Sequence, residues 1–317
     1  MRILITGGAG YLGTELTHLL SQDPEVSEII IYDNLSRKNY NLFLLEKMPG
    51  TNIKFVYGDI LDSRKLKKVL ENVDMVFHLA AKVSTPLANE DPHLFEQVNH
   101  WGTAELSYAL EESDVSHVVY MSSISVYGAR QESVNESSPT SPKTYYGISK
   151  LNGEHMLSRL DSKMKIHILR CGNVYGYSKS MRFDAVINKF MFEAHFENRV
   201  NIEGSGKQQR AFIHINKVVN VLSRLLNSNE VSSGTYNLVD KNLSVIALAN
   251  TMKEVYPDME MIFVQQDLDL KNIIVELNGP FNQEDRSPET DLLTELKEFN
   301  NRFAFHPPSI ATITETI

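Results

Sequence analysis

Cysteine is what this chain has least of: Cys171 is the single one in 317 residues. That rules out an internal disulfide and a cysteine-based zinc site. Within its apolar stretch Cys171 reads as a small buried hydrophobe on a strand. Long apolar runs are also missing, and none approaches the ~20 residues needed to span a bilayer. The first run, Ile3-Leu4-Ile5, breaks at Thr6-Gly7, so the expected N-terminus carries no signal peptide. Positive charge is in deficit, with a formal net charge of −9. Non-specific nucleic-acid binding is therefore disfavoured, and an anionic ligand would need a local basic pocket. The basic cluster Arg64-Lys65-Leu66-Lys67-Lys68 reads as a solvated helix face. No internal repeat or low-complexity segment is present. These absences lead us to expect a cytoplasmic globular protein with no metal centre and no membrane or nucleic-acid partner.

What is present is a regular alternation. The length suits two domains, or one domain with an elaborated lobe. Apolar runs at Ile3–Thr6, Ile29–Tyr32, Ile53–Val56, Met75–Leu79, Val118–Met121 and Ile166–Arg170 predict strands. Helical patterns fall between them, near Tyr11–Ser21, Ser63–Glu71, Leu94–Ser113 and Tyr145–Leu160. Ser63 is the expected N-cap of the second helix, and Asp91-Pro92 the entry to the third. In that third helix Leu94, Val98, Trp101, Glu105 and the pair Leu106/Leu110 mark one stripe for burial. The alternation predicts an α/β fold, with a parallel sheet covered on both faces.

The first strand runs into Thr6-Gly7-Gly8-Ala9-Gly10-Tyr11-Leu12-Gly13. Gly7 and Gly10 permit a tight turn close to a phosphate, and Gly13 lets the helix pack on the strand. The helix start then offers free N–H groups and a positive dipole end to a pyrophosphate. Asp33, 20 residues past Gly13, ends the second strand. A carboxylate there accepts both ribose hydroxyls of an adenosine, which favours NAD over NADP. Arg37 and Lys38 offer the contrary option, either gripping an NADP phosphate or remaining solvated. Asp59, in Gly58-Asp59-Ile60, is placed to meet an adenine amino group. In His78-Leu79-Ala80-Ala81 the small residues either let a cofactor lie across the sheet edge or simply pack. Asn99 either bonds neighbouring backbone and holds a strand kink open, or faces solvent.

The fifth strand ends in Ser122-Ser123-Ile124-Ser125, and Tyr145-Tyr146-Gly147-Ile148-Ser149-Lys150 comes after a proline-rich loop. Four-residue spacing puts Tyr146 and Lys150 on one helix face. An ammonium one turn from a phenol favours the phenolate, and a drop of two or three units takes roughly 3–4 kcal/mol. Ser123, at the carboxyl edge of the sheet, is placed to bond the same substrate oxygen.

With these residues in view, the chain resembles the extended short-chain dehydrogenase/reductase family, in its nucleotide-sugar epimerase/dehydratase branch. The resemblance is carried by Thr6 to Gly13, Asp33-Asn34-Leu35, Gly58-Asp59-Ile60, His78 to Ala81, Asn99, Ser122 to Gly128, Tyr146 with Lys150, and Arg170 to Gly176. It continues through Gly204-Ser205-Gly206-Lys207-Gln208-Gln209-Arg210-Ala211-Phe212-Ile213-His214. It implies a Rossmann-type doubly wound parallel sheet with a smaller α/β substrate-binding lobe. Residues 1–173 would be the NAD-binding domain, with a returning segment near 211–240, and 174–317 the nucleotide-sugar lobe. Tyr146 would be the acid/base, Ser123 its partner on the sugar hydroxyl, and Lys150 a holder of the nicotinamide ribose. The cofactor contacts implied are Gly7, Gly10, Tyr11, Leu12, Asp33, Asn34, Asp59, Ile60, Leu79, Ala80, Ala81, Lys82 and Asn99, with Tyr146 and Lys150. The substrate contacts are Ser84, Ser123, Ser125, Asn173, Arg210 and Arg286. The segment with Phe183, Val186, Ile187, Phe190 and Met191 would cap the nucleotide base, serve as a core face, or do both. The chain departs from the family beyond about Val264, where Arg286-Ser287-Pro288-Glu289 stands in place of a lysine-bearing run.

The reaction implied depends on the two residues after Ser123. A 4,6-dehydratase of this family has an Asp-Glu pair where this chain has Ile124-Ser125, and a decarboxylase has Glu at position 125. Serine there resembles the 4-epimerases, in which a 4-keto sugar turns over and takes the hydride back on its other face. The alternative is an NAD(P)H-dependent reductase of a 4-keto nucleotide sugar, and a third reading is a non-catalytic binding module. The family resemblance also implies a homodimer joined through the helices at Leu94–Ser113 and Tyr145–Leu160. The other option is that one chain uses both apolar stripes on its own sheet.

Overall fold

Runs such as Ile3-Leu4-Ile5, Ile29-Ile30-Ile31 and Val118-Val119 are rich in β-branched residues and do not alternate with polar ones. That pattern suits strands buried on both faces. In the computed structural model, residues 1–44, 51–83, 91–227, 231–265, 272–283 and 291–305 are described. The strands are β1 (Arg2–Thr6), β2 (Glu28–Asp33), β3 (Asn52–Tyr57), β4 (Met75–His78), β5 (His117–Ser123), β6 (Lys165–Cys171), β7 (Asn173–Tyr175), β8 (Arg199–Glu203), β9 (Gln209–His214), β10 (Gly234–Leu238), β11 (Lys241–Ser244) and β12 (Glu260–Val264). The helices are α1 (Tyr11–Leu20), α2 (Ser63–Val69), α3 (Pro92–Phe95), α4 (Gly102–Glu111), α5 (Tyr145–Ser158), α6 (Val186–Glu197), α7 (Ile215–Arg224), α8 (Val245–Lys253), α9 (Pro280–Gln283) and α10 (Leu292–Asn300).

Seven strands form one sheet in the order β10-β6-β5-β4-β1-β2-β3, with every neighbouring pair parallel. This is the doubly wound arrangement that the alternation predicts. Successive residues of β1 serve opposite faces. Ile3 and Ile5 pack with Leu16 and Leu20 of α1 and Leu222 of α7. Leu4 packs on the other side with Leu66, Leu106, Leu110 and Leu157. Each such side chain, fully buried, contributes about 2 kcal/mol. The order reverses between β1 and β4, which opens a crevice at their carboxyl ends. A smaller sheet, β11-β9-β7, and the pair β12-β8 pack with α6, α8 and α10 around Phe190, Met191, Leu248, Met252 and Leu296. Cys171 is buried at the end of β6, and burial pushes its thiol up to about 12. Among the described residues no helix is long and apolar enough to cross a membrane. Nor do the described residues contain a group of three or more His, Cys, Asp or Glu that could hold a metal.

Two local expectations are corrected. Asp62, rather than Ser63, caps α2, its carboxylate accepting the Lys65 N–H at 3.0 Å. A carboxylate satisfies the orphan amide and favours the positive helix end, and Ser63 becomes the first helical residue. Between α3 and α4, Glu96–Trp101 form a π-helical turn. Its wider winding shifts the face inward to Phe95, Asn99, Leu106 and Leu110, leaving Trp101 54% exposed. Of the expected stripe, Leu106 and Leu110 are buried and Val98 packs partly buried against the same core, whereas Trp101 does not join them, because the stripe assumed an uninterrupted α-helical period.

Buried histidines tie the strands together. His78 Nδ1 lies 2.7 Å from Thr6 Oγ1, and its Nε2 lies 2.9 Å from Thr103 Oγ1. Thr103 donates its own proton to Asn99 O, so it accepts from His78 Nε2–H, and His78 Nδ1 accepts from Thr6. His117 Nε2 lies 2.8 Å from His167 Nδ1 across β5 and β6. Burial pushes His78 and His117 from 6.5 down to about 3. Above the unfolded value neither state is charged. As pH falls below it the unfolded chain takes up protons that the folded one refuses, so stability is lost from 6.5 toward 3. At about pH 5 this amounts to roughly 2 kcal/mol for each of the two. Urea unfolding between about pH 7.5 and 5 measures the loss. His117→Gln should flatten the pH dependence by about one proton, and an unchanged slope would clear His117 of that role.

Candidate dinucleotide and sugar site

The turn between β1 and α1 is built on close approach. Gly7 has φ +71°, and a Cβ there would lie 2.6 Å from Ala80 N at the end of β4. A Cβ on Gly13 would lie 2.5 Å from Gly8 Cα. Gly10 begins α1 and no side chain caps it, so the first-turn amides are left for a ligand. The crevice opens into a cavity of about 830 Å³. Its lining includes Gly7, Gly10, Tyr11, Leu12, Asp33, Asn34, Asp59, Ile60, Leu79, Ala80, Ala81 and Lys82.

The polar groups of this lining are already oriented by the protein. Asp33 accepts the Ala9 N–H at 3.1 Å and the Leu35 N–H at 2.7 Å, while burial raises its pKa. Leu35 itself holds φ 53°, a left-handed strain in the turn that carries Asn34 and Arg37 past the cavity. Asn34 donates to Asp59 Oδ2 at 2.9 Å. The phenol of Tyr11 donates to Gly176 O at 2.6 Å and accepts from Asn188 at 3.1 Å, so its side chain braces the second lobe. Asn99 is buried and clamps the backbone of Lys82, accepting its N–H at 2.8 Å and donating to its O at 2.9 Å. It also donates to Ser149 Oγ at 3.1 Å. Asn99 thus positions the β4 loop from inside the protein.

The chemistry-bearing side chains meet where β5 ends and α5 begins. Ser123 Oγ donates to Ser125 Oγ at 3.1 Å and accepts the Ser125 N–H at 3.2 Å. Tyr146 stands beside Ser123, and its ring lies 6.1 Å edge-on from Phe95, which lines the cavity. Lys150, buried, donates to Met121 O at 2.7 Å and lies over the Tyr120 ring. Burial depresses Lys150 to about 7, partly offset by Glu154. The expectation that Lys150 pulls Tyr146 toward phenolate needs correcting. Burial raises Tyr146, and the opposing influences are the Arg182 cation and the nearby Ser123 hydroxyl. A shared helix face did not make the two side chains partners, because Lys150 turns to a carbonyl.

Asn173 and Arg210 stand on neighbouring strands of the small sheet. Asn173 pairs with Phe212 in register, so Asn173, Phe212 and Arg210 share one face. Asn173 donates to Ala211 O at 2.9 Å, and Arg210 to Gln209 O at 3.0 Å. In the segment expected to cap a base, Ile187, Phe190 and Met191 are core residues and Phe183 is exposed. Ser84 and Arg286 lie outside the described residues. Sequence reasoning missed Arg182 and Asp184, which reach the cavity from the second lobe and belong to no motif.

A glycine cradle, uncapped first-turn amides and a carboxylate at the end of β2 fit a dinucleotide with a free ribose hydroxyl pair. Fold and site define a dinucleotide-binding protein of the doubly wound α/β class. The model of the NAD dependent epimerase/dehydratase family matches residues 3–238, and the chain belongs to that family. It is 32% identical over 260 residues to a dTDP-D-glucose 4,6-dehydratase of Mus musculus, covering 79% of this chain and 72% of that one. It is 30% identical over 236 residues to a putative UDP-glucose 4-epimerase of Methanocaldococcus jannaschii, covering 72% and 75%. Its fold is shared with UDP-glucuronic acid 4-epimerase from Bacillus cereus, solved in complex with UDP-glucuronic acid and NAD. That likeness has a TM-score of 0.83 at 24% identity, over 95% of this chain and 98% of the other.

The turn yields a test of its ligand. A Cβ on Gly10 would meet only Gly7 O, at 3.1 Å, and φ there is −79°, so Gly10→Ala should fold with little loss. Its methyl enters the space kept for a phosphate, and NAD affinity should fall by about tenfold or more in a calorimetric titration. Unchanged affinity would take the pyrophosphate away from this turn.

Proposed function

We propose that the protein is an NAD-dependent nucleotide-sugar 4-epimerase. The observation that carries this is Ser123 standing beside Tyr146 at the edge of the cavity that the glycine-rich turn and Asp33 line, with Ile124 and Ser125 next in the chain. By the family resemblance, a 4,6-dehydratase would carry an Asp-Glu pair at those two places and a decarboxylase a Glu at position 125. Ile124 is buried and apolar, and Ser125 is tied to Ser123. Bound NAD supplies the acceptor and donor of a hydride, and its positive ring favours a phenolate nearby. Tyr146 takes the proton of the sugar C4 hydroxyl and returns it to the same oxygen once the 4-keto sugar has turned over. Ser123, beside Tyr146, would orient that oxygen with its hydroxyl. Lys150, on the same helix, would hold the nicotinamide ribose. Asn173 and Arg210 suit the substrate diphosphate, and the family members named above, with UDP- and dTDP-sugars in their names, support that class of substrate.

Incubation with a panel of nucleotide sugars, read by chromatography and mass, tests the reading. The expected product has unchanged mass and forms without net cofactor turnover. A loss of water would make the protein a dehydratase, as the Mus musculus relative is named, and two added hydrogens with NAD(P)H consumed would make it a reductase. Tyr146→Phe should keep NAD binding and lose turnover by about three orders of magnitude or more.

The outer faces of the π turn, α4 and α5 support a homodimer. Trp101, Tyr108, Tyr145 and Ile148 are each 39–54% exposed there. Sedimentation should give a dimer that Ile148→Asp dissociates, and a wild-type monomer would remove this part of the proposal.

A further inference from the structure

Arg37 lies four residues beyond Asp33, at the place in this fold where an arginine can accommodate the 2′-phosphate of NADP. In the structure its guanidinium is engaged by a carboxylate. Arg37 Nη2 donates to Asp184 Oδ1 at 3.0 Å, and the same oxygen accepts Arg182 Nε at 3.1 Å. Arg37, Arg182 and Asp184 all line the cavity. Asp184 lies between β7 and α6, far along the chain from the glycine-rich turn. Its Oδ2 is buried without a hydrogen-bond partner among the described residues. Both guanidinium groups therefore converge on Oδ1, the one oxygen that the carboxylate offers them.

We propose that Asp184 is a second determinant of cofactor choice, holding Arg37 away from the adenosine ribose so that the site rejects a 2′-phosphate. The inference rests on the NAD reading of the cavity. To bind NADP, Arg37 would have to leave Asp184, which would lose one of the two guanidinium partners of a partly buried carboxylate whose other oxygen has no hydrogen bond among the described residues. The incoming phosphate would also face Asp33. Two carboxylates from distant parts of the chain thus act together, Asp33 by meeting the ribose hydroxyls and Asp184 by occupying the arginine.

The test measures NAD and NADP binding calorimetrically on protein freed of carried-over dinucleotide, with folding checked by circular dichroism. Asp184→Asn should cut the preference for NAD over NADP by about tenfold, because the released guanidinium makes charge-assisted bonds to the phosphate. Arg37→Gln alone should leave the preference unchanged, and the double variant D184N/R37Q should lose the gain. The same comparison on an Asp33→Ser background brings NADP binding into a measurable range. The proposal is overturned if D184N leaves the ratio as it was, or if the gain survives without Arg37. It is also overturned if R37Q weakens NADP binding on the Asp33→Ser background, since Arg37 would then already serve the phosphate; this arm does not need D184N to fold. Failure of the wild type to bind either dinucleotide would instead overturn the NAD reading itself.

Discussion

The site depends on how closely β1 and β4 approach at their carboxyl ends. Gly7 leaves no room for a side chain against Ala80, and just inside that contact Thr6 and Thr103 hold His78 by its two ring nitrogens. Thr103 passes the chain of hydrogen bonds to Asn99 O, and the Asn99 side chain clamps Lys82. One continuous polar thread thus runs from the first strand, across the point where strand order reverses, to the loop along the cavity. From Thr6 through His78 and Thr103 to Asn99 its side chains are buried, so an unmade bond among them would cost a full desolvation penalty. The geometry is set by the need to satisfy them.

A second buried network lies beneath the reactive edge. Arg170 of β6 meets Glu154 of α5 with Nη2 at 2.8 Å, and Ser122 donates to the same carboxylate at 2.5 Å. Arg170 also reaches the Tyr127 hydroxyl at 3.1 Å, which in turn donates to Asn237 of β10 at 2.8 Å. A buried ion pair of this kind adds little net stability but is costly to break on one side. Its consequence is positional. Glu154 is one turn beyond Lys150, so the pair fixes α5 against the ends of β5 and β6, where Ser123 and Tyr146 meet.

The strands were legible because runs such as Ile29-Ile30-Ile31 tolerate few environments other than a doubly covered sheet. The glycine spacing and Asp33 likewise point to a cavity that the structure does form, since the steric demand at Gly7 is local. Three things escaped. The π turn at Glu96–Trp101 broke the period from which the buried stripe was inferred, and no residue in it announces the change. The α2 cap moved by one residue because Asp62 and Ser63 are both good caps, and only backbone geometry chooses between them. Arg182 and Asp184 were invisible because their role arises where two distant segments converge, and neither belongs to a local pattern.

The case of Tyr146 shows how far spacing carries an electrostatic argument. Residues four apart on a helix share a face, yet a cation's influence depends on where its charge comes to rest and on what surrounds it. Lys150 directs its ammonium to Met121 O, within a buried setting that disfavours its charge. Burial raises the Tyr146 phenol, and the cation that opposes this is Arg182, in the same segment as the Asp184 that engages Arg37. The acidity of the phenol and the engagement of Arg37 therefore meet in three consecutive residues of the second lobe.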